Sequence, residues 1–223
     1  MSVKKLLGAL MLGMGLSAAA SSAPLIDQQF VRDIVNNTGI GQVSSSIGQT
    51  FTVGLTGTLT GIDVFIAELA TETTTGGLTL DVRSVSGSGA VEPLAANALA
   101  SATIPDASVP FRATSSPFFT PILVDLSAAG LAVTAGDILA FVLTRVNGDD
   151  DPYYVQTDFD AGYLGGTRVS QLADGDAFFP SASTDLTFRT YVETAGSAPV
   201  PLPSTLVLIG LGLAGFGWNR RRA

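Results

Sequence analysis

The densest run of side chains able to do chemistry lies between Asn147 and Arg168. It reads Asn147-Gly148-Asp149-Asp150-Asp151-Pro152-Tyr153-Tyr154, followed by Asp158, Asp160, Tyr163 and Arg168. A hard cation such as Ca2+ needs about six to eight oxygen ligands, which makes Asp149, Asp150, Asp151, Asp158 and Asp160 candidate metal ligands. The spacing lacks the central Gly and distal Glu of an EF-hand loop, and a solvated acidic hairpin loop explains the same residues. Calcium is the one cofactor the sequence suggests.

Tyr153, Tyr154, Tyr163 and Arg168 allow a second chemistry. Aromatic faces stack on the apolar side of a pyranose while Asp and Arg hydrogen-bond its hydroxyls. Against this, strand alternation sends one member of the Tyr153–Tyr154 pair into the core. A carboxylate glycosidase would need two acids facing each other at roughly 5 Å or 6.5–9.5 Å, whereas adjacent acids such as Asp149 and Asp150 more often form a solvated turn.

Composition narrows the field further. The chain has 223 residues, no His and no Cys, which removes zinc clusters, Ser-His-Asp and Cys-His mechanisms and any disulfide framework. An enzyme built on this chain would rely on carboxylates, Tyr, Arg or Ser. The charge is unevenly laid out: Lys4 and Lys5 lie at the start and Arg220, Arg221 and Arg222 at the end. Between Ala23 and Pro199 stand six arginines and nineteen carboxylates, a net −13. Such a surface repels phosphate backbones and anionic lipid, so nucleic acid is excluded as a partner.

The elements positioning these residues are strands. Leu78, Leu80 and Val82 alternate with Thr79, Asp81 and Arg83, and Leu186, Phe188 and Thr190 with Thr187, Arg189 and Tyr191, the period-2 pattern of a strand with one wet face. Further strands are expected at Gln49–Leu55, Leu59–Leu69, Ala98–Ile104, Pro121–Leu126, Ile138–Arg145, Tyr153–Thr157 and Gly166–Leu172. Ile138–Leu143 is apolar on both faces and reads as a central strand. Ala128–Val133 reads as a short turn at most, and the pairs Phe118–Phe119 and Phe178–Phe179 read as core plugs. Eight or nine short strands separated by Gly/Pro/Ser/Asp loops predict an all-β fold, an antiparallel two-sheet sandwich of jelly-roll type spanning residues 23–198.

Residues 1–22 read as a secretory signal peptide: Lys4 and Lys5, the apolar run Leu6–Leu16, then small residues. Ala20 and Ser22 supply the small −3 and −1 side chains, placing cleavage between Ser22 and Ala23 by signal peptidase after Sec export. Residues 199–223 form the other end, with an uncharged stretch over 202–218. Its seventeen residues would extend about 25 Å as a helix, the lower edge of a transmembrane span. Arg220–Arg222 stay cytoplasmic by the positive-inside rule, so both cationic ends place the acidic middle across the inner membrane.

The tail resembles the PEP-CTERM sorting tag. Pro201-Leu202-Pro203 stands in the Pro-Glu-Pro position, with Leu202 where Glu is usual. Leu206–Gly217 occupies the place of the apolar helix and Arg220–Arg222 that of the basic cluster. The resemblance implies an exosortase as partner, anchorage in the inner membrane with a periplasmic domain before processing near the tripeptide, and then the cell surface or exterior, beside extracellular polysaccharide. The run Ser46–Phe51 through Leu59–Val64, with Asp185–Tyr191, is similar to bacterial carbohydrate-binding sandwiches. Together these imply a non-enzymatic surface or matrix protein; the alternatives are a carbohydrate-binding module with structural calcium, and a carboxylate hydrolase.

Overall fold

A computed structural model describes residues 23–32, 37–40, 44–69, 76–85, 98–112, 119–146, 153–160, 162–172, 178–181 and 183–194. Residues 23–195 cluster into one compact unit. In chain order its strands are β1 (Leu25–Phe30), β2 (Asn37–Ile40), β3 (Ser44–Thr52), β4 (Gly57–Leu69), β5 (Leu78–Ser84), β6 (Ala98–Ile104), β7 (Phe111–Arg112) and β8 (Pro121–Asp125). They continue as β9 (Ala132–Val133), β10 (Ile138–Arg145), β11 (Tyr153–Asp158), β12 (Arg168–Leu172), β13 (Phe178–Ser181), β14 (Asp185–Leu186) and β15 (Phe188–Glu193). Helical structure among the described residues is confined to two 3-10 turns, Asp106–Ser108 and Ser127–Ala129.

The strands form two sheets. A six-stranded sheet runs β13-β12-β3-β10-β5-β6; a nine-stranded sheet runs β1-β15-β4-β11-β14, with β2 on β11 and β7, β8 and β9 on β4. Pairing is antiparallel throughout apart from β4 with β7. Side chains from the inner faces of both sheets meet in one core that includes Ile47, Phe51, Leu80 and Phe141 from the smaller sheet and Ile62, Val64, Val155 and Phe188 from the larger. This arrangement is a two-layer sandwich. Phe188 sits at its centre, with ring centroids 5.4 Å from Phe141 and 5.1 Å from Tyr163.

The expected alternation is visible in β5, where Leu78, Leu80 and Val82 are buried and Thr79 and Asp81 are not. β10 lies between β3 and β5 and buries Leu139–Leu143 on both faces, as an uninterrupted apolar run requires. Five strands go beyond those read from the sequence: β1, β2, β7, β9 and β13. Two of them are two residues long, and β2 (Asn-Thr-Gly-Ile) has a single apolar residue. β3 also begins earlier than expected, because its polar residues are satisfied across strands: Ser46 Oγ lies 2.9 Å from Thr144 Oγ1 and 3.3 Å from Gln171 Oε1. Phe119 and Phe178 are buried, but Phe179 is 53% exposed, so only its neighbour plugs the interior; Phe118 lies outside the described residues.

The proposed signal peptide and the transmembrane stretch 202–218 both lie outside the described residues. Among the described residues no helix is long and apolar enough to cross a membrane.

Candidate functional site

The four residues of the expected sugar platform do not share a face. Tyr153 faces inward on β11 and is 0% exposed. Its hydroxyl donates to Asp106 Oδ1 at 2.7 Å and accepts the Gly77 N–H at 3.1 Å. Gly77 has φ +70° and its Cα lies against the Ile104 carbonyl, so a side chain there would collide with backbone. Tyr153 is thus a core residue that fastens the β4–β5 loop end to the Asp106 turn. Tyr154, the next residue, points the opposite way and lies beside Phe65, Ala67 and Phe119. Tyr163 packs at tilted and edge-on angles against Phe30 and Phe188 and donates to Gln28 Oε1 at 3.1 Å. Burial, with smaller contributions from the Asp27 and Asp185 charges, pushes its pKa up to about 12.

Arg168 is structural as well. It lies on β12 of the smaller sheet and donates from Nη1 to Thr38 Oγ1 of β2 in the larger sheet at 3.2 Å, tying the layers together. Partial burial lowers its pKa. The coplanar platform expected from sequence is therefore replaced by four side chains holding different parts of the sandwich.

The candidate metal ligands also separate. Asp158 is 1% exposed and pairs with Arg32 Nη1 at 2.7 Å, while its other oxygen accepts the Asp160 N–H. Asp160 itself is exposed. Asp149, Asp150 and Asp151 lie outside the described residues, and among the described residues no three His, Cys, Asp or Glu side chains are grouped to hold a metal ion.

The other aspartates with assigned partners are used in the same manner. Asp27 accepts the N–H groups of Gly54 and Leu55, pinning the β3–β4 loop to β1. Asp185 accepts from Gln49 Nε2 at 3.0 Å and from the Tyr163 N–H. Asp81 pairs with the buried Arg83 and accepts from Ser101. Asp125 and Asp137 cap the Ser127 and Thr134 N–H groups, and hydrogen bonding to Ser127 holds the Asp125 pKa below its usual value.

One constellation was not singled out from sequence. On the outer face of the larger sheet, Asp63 Oδ2 accepts from the Tyr191 hydroxyl at 2.7 Å and from Arg189 Nη1 at 3.1 Å. The Arg189 guanidinium lies over the Phe65 ring, 5.6 Å from its centroid. Burial, and next the Asp63 hydrogen bond, raise the Tyr191 pKa. The signal was present in the alternation of 186–191, which sends Arg189 and Tyr191 outward; their partner strand could not be read from it.

The PEP-CTERM protein-sorting motif matches residues 199–222. The chain therefore carries, at its C-terminus, the sorting signal that indicates export and membrane-anchored processing by an exosortase before release to the cell surface. No curated protein matches the chain significantly.

Proposed function

We propose that the protein is a non-enzymatic component of the cell surface or extracellular matrix, exported through Sec, cleaved between Ser22 and Ala23, sorted by its tag, and retained beside extracellular polysaccharide. The observation that carries the non-enzymatic part is the use of the carboxylates. Among the described residues, Asp27, Asp63, Asp81, Asp106, Asp137, Asp158 and Asp185 are each engaged by a backbone N–H, an Arg, a Tyr or another side-chain donor. A retaining or inverting glycosidase would keep two acids facing an open cleft, and acids committed to loops and strand pairs serve the scaffold instead.

The sorting motif supports the remainder, because a tag read by a membrane protease suits a protein whose place of work is the exterior. The test is mass spectrometry of the mature protein from its host combined with fractionation. The expected result is an N-terminus at Ala23, a C-terminus near Pro203, and extraction together with the extracellular polysaccharide. An intact tail in the inner-membrane fraction would refute the reading.

A further inference from the structure

We infer that the outer face of the nine-stranded sheet is a glycan-binding surface, centred on the hollow above Gly61, and that its ligand is a polysaccharide whose hexose rings carry free amino groups. The inference rests on the polysaccharide association proposed above and names the site and the sugar class.

The geometry follows from strand register. Ile26, Tyr191, Gly61 and Asp125 stand side by side across β1, β15, β4 and β8, and Gln29, Arg189, Asp63 and Leu123 form the next outward row. Gly61 contributes no side chain, so the sheet sinks between the Tyr191 ring and Leu123. A Cβ at Gly61 would come within 2.9 Å of Leu123 Cδ1. The hollow has a volume of about 470 Å3, with Pro24 and Glu193 on the β1–β15 side and Asp125 on the β8 side. That volume lies within the range of roughly 300–1,000 Å3 for small-ligand sites. A second hollow of about 320 Å3 lies across β8, lined by Thr103, Pro105 and Ser108, and shares Leu123 and Asp125 with the first. Two hollows on either side of one ridge suit a chain of rings better than a single ring.

The lining supplies both halves of sugar recognition. Tyr191, Leu123 and Pro24 offer apolar surface to the C–H face of a pyranose, and the Tyr191 ring is fixed beforehand by the Tyr191–Asp63–Arg189 hydrogen bonds, which lowers the ordering cost of binding. Charge sets the class of sugar. Arg189 neutralises Asp63, whereas Asp125 is an exposed carboxylate hydrogen-bonded by the N–H and the side-chain hydroxyl of Ser127; Glu193, itself engaged by another group, lines the same wall. An ammonium group on the ring is attracted to these acids, and a uronate is repelled.

The test is calorimetric titration of the full chain in detergent with three oligosaccharides of equal length: a glucosamine hexamer, its fully N-acetylated counterpart and an oligouronate. The glucosamine hexamer is expected to bind with an affinity that falls as salt rises. The acetylated hexamer should bind about tenfold or more weakly and the uronate not at all. Tyr191→Ala should weaken binding about tenfold. Asp125→Asn keeps an acceptor for the Ser127 N–H at an exposed position, so it leaves the fold intact; it should weaken binding and flatten the salt dependence. Equal binding of all three sugars, preference for the uronate, or unchanged affinity in both variants would overturn the inference. Fractionation separates the two levels. If wild type and the Tyr191→Ala/Asp125→Asn double variant extract equally with the matrix polysaccharide, the groove is wrong and the association stands; if wild type does not extract with it, both fall.

Discussion

Replacing Tyr153 by Phe isolates one hydroxyl in the centre of the sandwich. The ring stays, so no cavity opens, and the change deletes two hydrogen bonds: one donated to Asp106 and one accepted from the Gly77 N–H. A hydrogen bond to a charged group contributes about 1.5–3 kcal/mol, and a buried donor left without a partner costs about 1–3 kcal/mol. Asp106 is half-buried and regains part of its loss from water, which brings the expected destabilisation to about 2–4 kcal/mol. For a domain of this size each kcal/mol lowers Tm by about 2–4 °C, so thermal unfolding followed by circular dichroism should show a drop of roughly 4–16 °C. The same measurement on Tyr191→Phe, whose hydroxyl reaches Asp63 at the half-exposed outer face, should show a smaller shift. A Tyr153→Phe protein with unchanged Tm would refute the placement of this hydroxyl in the core.

Four further outcomes are expected. Tyr163 has a folded pKa of about 12 against an ordinary 10.0; the folded state therefore holds its proton more tightly, so the associated stability is complete below pH 10 and is lost as pH rises towards 12. Tyr163→Phe should flatten the stability profile in that window, as measured by urea unfolding at a series of pH values. Arg83 is 1% exposed and leaves Nε and Nη1 without partners, with Asp81 as its counter-ion. Asp81→Ala strands that charge and should cost about 3–5 kcal/mol, whereas Arg83→Met should cost much less in the same denaturation assay. Chelation with EDTA should leave Tm unchanged if Asp158 is held by Arg32 and the Asp160 N–H without a metal, and a fall in Tm restored by Ca2+ would establish the calcium reading. Neutralising Arg220, Arg221 and Arg222 should impair membrane retention or processing, read by fractionation and the mass of the mature C-terminus; unchanged localisation would contradict the role of the basic cluster.

Sequence patterning exposed the parts of the fold in which burial alone decides a residue's type. β10 could be placed at the middle of a sheet because only a strand covered on both faces tolerates the run Leu139–Leu143, Ile138 at its start being exposed, and β5 and β15 showed their wet faces through period-2 alternation. β1 was hidden because Leu25-Ile26-Asp27-Gln28-Gln29-Phe30 shifts register between Ile26 and Gln28 and buries only Phe30. The pair Tyr153–Tyr154 shows the same limit at the site. Alternation requires one ring in and one out, but the choice depends on Asp106 and Gly77, which are 47 and 76 residues away in the chain. The hollow above Gly61 was equally illegible, since it needs the partners of three strands at once. The C-terminal motif was legible because its order of Pro, apolar run and Arg cluster is read along the chain and needs no fold.

The pairing of β1 with β15 has a mechanical consequence. Leu25 stands opposite Val192, so the domain's first and last strands lie together at one border of the sheet and run in opposite directions. Tension applied between Pro24 and Thr194 meets their ladder at its terminal rung and opens the bonds in succession, as a zipper does, instead of loading them simultaneously in shear. A protein held from both termini would therefore yield first along β1, and the core opens only when the far end of that strand draws Phe30 away from Tyr163.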